Sequence, residues 1–186
     1  MKTIIYAHPD KNSFCNSILQ KVIQKLNDKN YDYKIINLIE EKFNPVFSYE
    51  DHLVYKKKEV LKDDQVLKYQ KILKESEELI FIFPIYWFQT PAIVKGFLDR
   101  VFTEDFAFGQ SWLDNIKKVT FITTAALETK EEIANDFGNP IDVNLFGVLK
   151  YCGINNNFWL HFGGIGHGEK DKGFYDNILK EVYKKI

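Results

Sequence analysis

The chain has 186 residues, a formal net charge of −1 and a hydrophobic content of 45%. That length suits one domain with a sizeable core, and that apolar share belongs to a globular chain rather than a disordered one. The near-neutral charge leaves no footprint for nucleic acid and argues against a strongly acidic shuttle that docks on basic partners. The two cysteines, Cys15 and Cys152, make no disulfide framework, so a reduced, cytoplasmic protein is expected. The first apolar run is short and ends in His8-Pro9, unlike a signal peptide, and no run reaches the roughly 18 apolar residues of a transmembrane helix.

In chain order, Thr3 to Ala7 reads as a buried strand and His8 to Ser13 as a polar loop. Phe14, Ile18, Leu19, Val22, Ile23 and Leu26 share one helical face, so a helix starts near Ser13 and ends at Asp28-Lys29-Asn30. Tyr33 to Leu38 is a second strand. Phe43 to Phe47 is a loop, and the charged stretch to about Asp63 carries no clear signal. Val66, Tyr69, Ile72 and Leu73 mark a helix leading to Leu79-Ile80-Phe81-Ile82-Phe83, which is apolar on both alternations, as a central parallel strand covered on both faces must be. Pro84 ends that strand. Thr90 as N-cap and Pro91 at the first helical position open the next helix. Phe106 to Gln110 is a loop and Lys118 to Thr123 a fourth strand. Asn139-Pro140 caps a helix carrying Val143, Phe146, Gly147, Leu149 and Tyr151. Ile154 to Phe162 is a fifth strand, and Asp171 to Ile186 a closing amphipathic helix.

Strands alternating with helices mean a parallel sheet with helices on both faces. The expected fold is α/β: a flavodoxin-like three-layer sandwich whose five-stranded sheet has the order 2-1-3-4-5, with the ligand crevice beside strands one and three. No repeat, low-complexity tract or linker divides it, so residues 1–186 are expected to form a single domain.

Three stretches carry chemistry. His8, Asn12, Ser13 and Asn16 lie where a helix N-terminus offers N–H groups to a phosphate, although Ser and Asn there are also ordinary caps. Ile85-Tyr86-Trp87-Phe88 follows the central strand, where exposed rings suit a flat aromatic ligand. Thr123-Thr124-Ala125-Ala126 places small residues at the end of the fourth strand, where backbone can come close to a ligand. A P-loop is absent, and Gly163 to Gly168 does not satisfy the dinucleotide fingerprint. His161 reads as a strand residue and His167 as a loop residue. Neither has partners at metal-ligand spacing, and no nucleophile elbow appears.

The Tyr6-Ala7-His8-Pro9 start with Ser13-Phe14 and Asn16, then Phe83 to Phe88, then Pro91-Ala92-Ile93-Val94-Lys95-Gly96-Phe97-Leu98-Asp99-Arg100-Val101-Phe102, resemble the flavodoxin-like NAD(P)H:quinone oxidoreductases. Phe106-Ala107-Phe108, Thr123-Thr124 and Tyr151-Cys152-Gly153 match in order, so the resemblance spans almost the whole chain. It implies a flavin, FMN or alternatively FAD, with NAD(P)H as co-substrate and a quinone or similar acceptor. Its phosphate would sit on His8, Ser13, Phe14, Cys15 and Asn16, and its ring against Pro84, Ile85, Tyr86, Trp87, Phe88, Thr123, Thr124, Ala125 and Ala126. Hydride passes through the flavin, so no catalytic side chain and no metal are implied. The resemblance further implies a homodimer, with Trp87, Phe88, Phe108 and Gln110 at the acceptor and the last two reaching across from the partner chain. Some relatives serve as ancillary subunits of potassium-efflux antiporters, which makes a membrane transporter partner the alternative to an independent enzyme; a flavodoxin-type electron carrier is the other. Gln70 matches a position used by some FAD-binding relatives, within a pattern that FMN-binding relatives share. Two departures stand out. Ala125-Ala126 replaces a common Gly-Gly, adding methyl groups where backbone should approach the ring. Leu127 to Phe137 holds neither the Tyr nor the His that some relatives use as a charge relay.

Overall fold

The computed structural model describes residues 1–109, 113–126, 129, 131–132, 140–166 and 170–186, with Pro140 and Ile141 described in backbone only. Its strands are β1 (Lys2–Tyr6), β2 (Tyr33–Asn37), β3 (Glu78–Pro84), β4 (Lys118–Thr124) and β5 (Asn157–Phe162). They form one parallel sheet in the order β2-β1-β3-β4-β5, as the alternation of elements predicts. The helices among the described residues are α1 (Phe14–Asp28), α2 (Tyr49–Tyr55), α3 (Asp64–Lys74), α4 (Ala92–Val101), α5 (Pro140–Tyr151) and α6 (Lys172–Lys185).

The two-residue period of the strands sorts the core into two layers. Ile4, Tyr6, Ile80, Ile82, Ile122, Leu160 and Phe162 face α1 and α6, where they meet Ile18, Val22, Leu26, Ile178 and Val182. Ile5, Leu79, Phe81, Phe83, Val119, Phe121 and Trp159 face α3, α4 and α5. On that second side Phe81 packs on Phe121 with centroids 5.1 Å apart, and Phe97 of α4 packs on Tyr69 of α3 at 5.7 Å. β3 is buried on both faces, which accounts for its unbroken apolar run.

Several boundaries differ from expectation. Pro84 ends β3 as expected, but from inside it, as the last paired residue, while the strand starts one residue earlier, at Glu78. Thr90 is not the N-cap of α4. Pro91 holds that position with an extended backbone, and its carbonyl takes the Val94 and Lys95 amides at 2.9 and 3.0 Å. β5 begins at Asn157, three residues after Ile154. The unassigned stretch contains α2, started by a capping box: Ser48 N–H donates to Asp51 Oδ2 at 2.8 Å while Asp51 N–H donates to Ser48 Oγ at 3.1 Å. Asn139 lies outside the described residues.

The excursion from Asn44 to Asp63 is fastened to α4. Arg100, 6% exposed, donates from Nε to Asp51 Oδ2 at 2.8 Å, from Nη2 to Asp63 Oδ2 at 2.8 Å and from Nη1 to the Asn44 carbonyl at 2.7 Å. One turn earlier, a Cβ on Gly96 would stand 2.2 Å from the Pro45 carbonyl oxygen and 2.4 Å from its Cα. The glycine inside the helix therefore serves close packing within its own chain. Gly96→Ala sets a methyl against backbone, and overpacking of this kind costs about 2–3 kcal/mol. Urea unfolding of Gly96→Ala should show that loss; a midpoint equal to the parent's would mean that the Pro45 segment moves aside freely.

Candidate active site

Three loops meet at the carboxyl ends of β1, β3 and β4. In the first, the His8 ring is tied down by contacts of Nδ1 with the Asp10 amide and carbonyl, both 3.1 Å. Asp10 Oδ1 accepts from the Asn12 amide at 2.8 Å, and Asn16 Nδ2 donates to the Lys11 carbonyl at 2.8 Å. Ser13 caps α1, its Oγ accepting from the Asn16 amide at 3.2 Å. The polar side chains are thus spent on shaping the loop. The amides of Phe14 and Cys15, the first two of the helix, make no hydrogen bond among the described residues. Two free N–H groups at the positive end of a 15-residue helix suit an anion.

The loop after β3 is a tight turn. The Ile85 amide donates to the Thr124 carbonyl at 2.7 Å, and Tyr86 and Gln89 exchange hydrogen bonds of 3.1 and 3.0 Å. The residues between them, Trp87 and Phe88, have φ of 51° and 59°. This is the left-handed pair of a hairpin turn, a place that favours Asn-Gly. Trp87 is 92% exposed, and its amide makes no hydrogen bond among the described residues. Tyr86 is exposed, but Phe88 is half-buried against the α3–α4 side of the core, so the three rings do not share one exposed surface. Gln89 Oε1 accepts from Asn144 Nδ2 of α5 at 3.0 Å.

In the loop after β4 both threonine hydroxyls have protein partners. Thr123 Oγ1 accepts from Trp159 Nε1 and lies against His161 Nδ1, each at 2.8 Å. Thr124 Oγ1 is 3.1 Å from Cys15 Sγ. The Ala125 amide donates to the Phe162 carbonyl at 3.0 Å, and its methyl is buried in the α3–α4–α5 layer of the core. Of the two alanines, only Ala126 is exposed, so Ala125 puts no methyl in the way of a ligand. His161 is a strand residue, as expected. Gln110 and His167 lie outside the described residues.

Phe108 packs on Tyr151 with centroids 5.3 Å apart. The two line an open groove of about 1150 Å³ that also meets Tyr55, Gln89, Thr90 and Phe102. Gln70, in contrast, is spent inside the chain: its Nε2 donates to the Val101 carbonyl and Thr103 Oγ1, each at 3.0 Å. No group of three or more candidate metal ligands occurs among the described residues, and none of their helices is long and apolar enough to cross a membrane. The Thr123–Trp159–His161 cluster and the Arg100 clasp escape sequence reading because each depends on residues distant in the chain.

Residues 2–186 match the flavodoxin-like fold family, and the chain belongs to it. Mouse (Mus musculus) ribosyldihydronicotinamide dehydrogenase (quinone) is 31% identical over 177 residues, covering 81% of this chain and 76% of the relative. An NAD(P)H:quinone oxidoreductase from Methanothermobacter marburgensis has a similar structure, with a TM-score of 0.85 at 22% identity over 98% of this chain and 93% of the other. An FMN-dependent NADH-azoreductase from Bacillus anthracis, solved in complex with FMN, superposes with a TM-score of 0.73 at 17% identity over 98% and 95% of the two chains.

Burial pushes the thiols of Cys15 and Cys152 up to about 11, with the Thr124 contact pulling Cys15 slightly back. At neutral pH only about one thiol in ten thousand is then the reactive thiolate. Iodoacetamide at pH 7 should label neither cysteine in the native protein and both after unfolding; rapid native labelling of Cys15 would contradict its burial under the loop.

Proposed function

We propose that this protein is a flavin-dependent oxidoreductase that uses NAD(P)H to reduce a quinone or similar acceptor, with residues 1–186 acting as one domain. The observation that carries the reading is the set of unused amides on loops of one sheet edge, Phe14 and Cys15 on the first and Trp87 on the second, beside an uncovered indole. The residues present fit a flavin mononucleotide. Phe14 and Cys15 would hold its phosphate through backbone, with His8 and Ser13 shaping the loop around it. Trp87 would cover its planar ring, and the amides of Trp87 and Ala126 would meet the polar ring edge. When bound, a flavin supplies the centre that accepts hydride from NAD(P)H and delivers it to the acceptor. The chain's part is to orient: Cys15 fixes Thr124 beneath the ring site, and Thr124 fixes Ile85 at the start of the aromatic turn. The engagement of Gln70 within the chain, together with FMN on a structural neighbour, favours FMN over FAD.

The test is reconstitution followed by turnover. The protein incubated with FMN should retain a yellow chromophore after desalting and reduce a benzoquinone with NADH or NADPH. Trp87→Ala should weaken flavin retention by about fivefold or more, the loss of one stacked ring, without moving the thermal midpoint, because the ring touches water in the free protein. No retained flavin with either FMN or FAD would remove this reading.

The same reading includes a homodimer. Phe47, Tyr55 and Tyr151 are exposed rings along the groove that Phe108 enters, a patch that a second copy would cover. Each chain would lend Phe108 and Gln110 to its partner's acceptor site, alongside Trp87 and Phe88. Sedimentation at micromolar concentration should give a dimer, and Phe108→Ala should raise KM for the quinone more than it lowers flavin affinity. A monomer that turns over quinone at full rate would contradict the shared site. Gly96 is no probe of this interface, since Pro45 of its own chain already fills the space beside it.

A further inference from the structure

Tyr6 is the last residue of β1 and lies on the side of the sheet that faces α1. Only 3% of it is exposed, and its hydroxyl is buried without a hydrogen-bond partner among the described residues. The great majority of buried polar atoms are paired, so an orphan phenol calls for a cause. The Ser13 hydroxyl is close enough to lower its pKa, but no hydrogen bond joins the two. Burial pushes the phenol above the ordinary tyrosine range, with Ser13 pulling the other way, so it is a proton donor at neutral pH. The two carboxylates whose fields reach it are engaged elsewhere: Asp10 holds the Asn12 amide at 2.8 Å, and Glu40 is paired with Lys11 at 2.6 Å. Ser13, whose hydroxyl acts on it, caps α1, and the next two amides, of Phe14 and Cys15, have no hydrogen bond among the described residues.

We infer that the Tyr6 hydroxyl is a third donor to the phosphate group held at the start of α1. The inference rests on the flavin reading for the identity of the phosphate, but not for the existence of the site. An acceptor there satisfies the phenol and both amides at once, with neutral donors only. Tyr6 is thus a binding residue for the phosphate end of the cofactor and has no part at the ring.

FMN and riboflavin differ only in that phosphate, so the pair isolates the contact. With the apoprotein, Tyr6→Phe should weaken FMN binding by about tenfold or more, the loss of one hydrogen bond to a charged group, and leave riboflavin affinity unchanged. The thermal midpoint of the apoprotein should not fall, because the deleted hydroxyl had no partner. Equal losses for FMN and riboflavin, unchanged FMN affinity, or a lowered apoprotein midpoint would each overturn the assignment. Inorganic phosphate separates the two readings. If the parent binds neither flavin, yet phosphate raises its midpoint and raises that of Tyr6→Phe less, the Tyr6 site stands and the flavin reading falls. If phosphate protects both equally, or neither, the Tyr6 site falls as well.

Discussion

The ligand end of the sheet depends on Thr124. Its carbonyl receives the Ile85 amide at 2.7 Å, and its hydroxyl meets Cys15 Sγ at 3.1 Å. The next amide, Ala125, reaches the Phe162 carbonyl at 3.0 Å. Two consecutive residues at the end of β4 therefore fix the start of α1, the loop after β3 and the end of β5. Parallel strands make such a junction natural, since every strand ends at the same edge and consecutive loops lie side by side. The adjoining Thr123 is gripped from β5 by Trp159 and His161. With both hydroxyls engaged, this edge presents backbone to a ligand, and rigid backbone donors need no reorganisation when a ligand arrives.

A second constraint shapes the groove beside α2 and α4. The Asn44–Asp63 excursion would be a long, weakly packed loop without its anchors on α4. Gly96 lets Pro45 approach to backbone contact, and Arg100 gathers Asn44, Asp51 and Asp63. A buried ion pair adds little net stability over an apolar pair, but removal of one partner leaves a charge unpaired. Its use here is to fix one position of α2, and with it Tyr55 and the wall of the groove.

The sheet order and helix positions were legible because they follow from periodicity: the double-sided run of β3 and the amphipathic face of α1 each admit one reading. For the apolar residues of α4 and its glycine, the sequence does not tell which surface covers each position. Val94, Phe97 and Val101 cover the sheet, and Gly96 covers Pro45. α2 was illegible because its stability comes from a capping box and from Arg100, 49 residues after Asp51, rather than from an apolar stripe. At the candidate site, residue types pointed to three loops that the fold brings side by side, but not to what each side chain does within the chain. Asn16, Thr123 and Thr124 read as ligand contacts, and their side chains also brace the loops. Tyr6 read as core, which it is, except for one oxygen.

The aromatic turn joins two penalties in one residue. Trp87 and Phe88 both hold left-handed backbone without being glycine or asparagine, at a cost of about 1–2 kcal/mol each. Trp87 in addition leaves almost its whole ring in water. Folding alone rewards neither feature, since an Asn-Gly pair would close the same turn without strain and without the exposed indole. The geometry is stable only because Ile85 is locked to Thr124 and Tyr86 to Gln89 on either side. A ligand with a flat apolar face, laid on the indole, recovers the hydration cost of the ring, while the free Trp87 amide finds an acceptor on the ligand's edge. The strain is the same with or without an occupant; what the turn offers is an uncovered indole and a Trp87 amide without a hydrogen bond among the described residues, which suit a planar face with hydrogen-bonding groups along its rim.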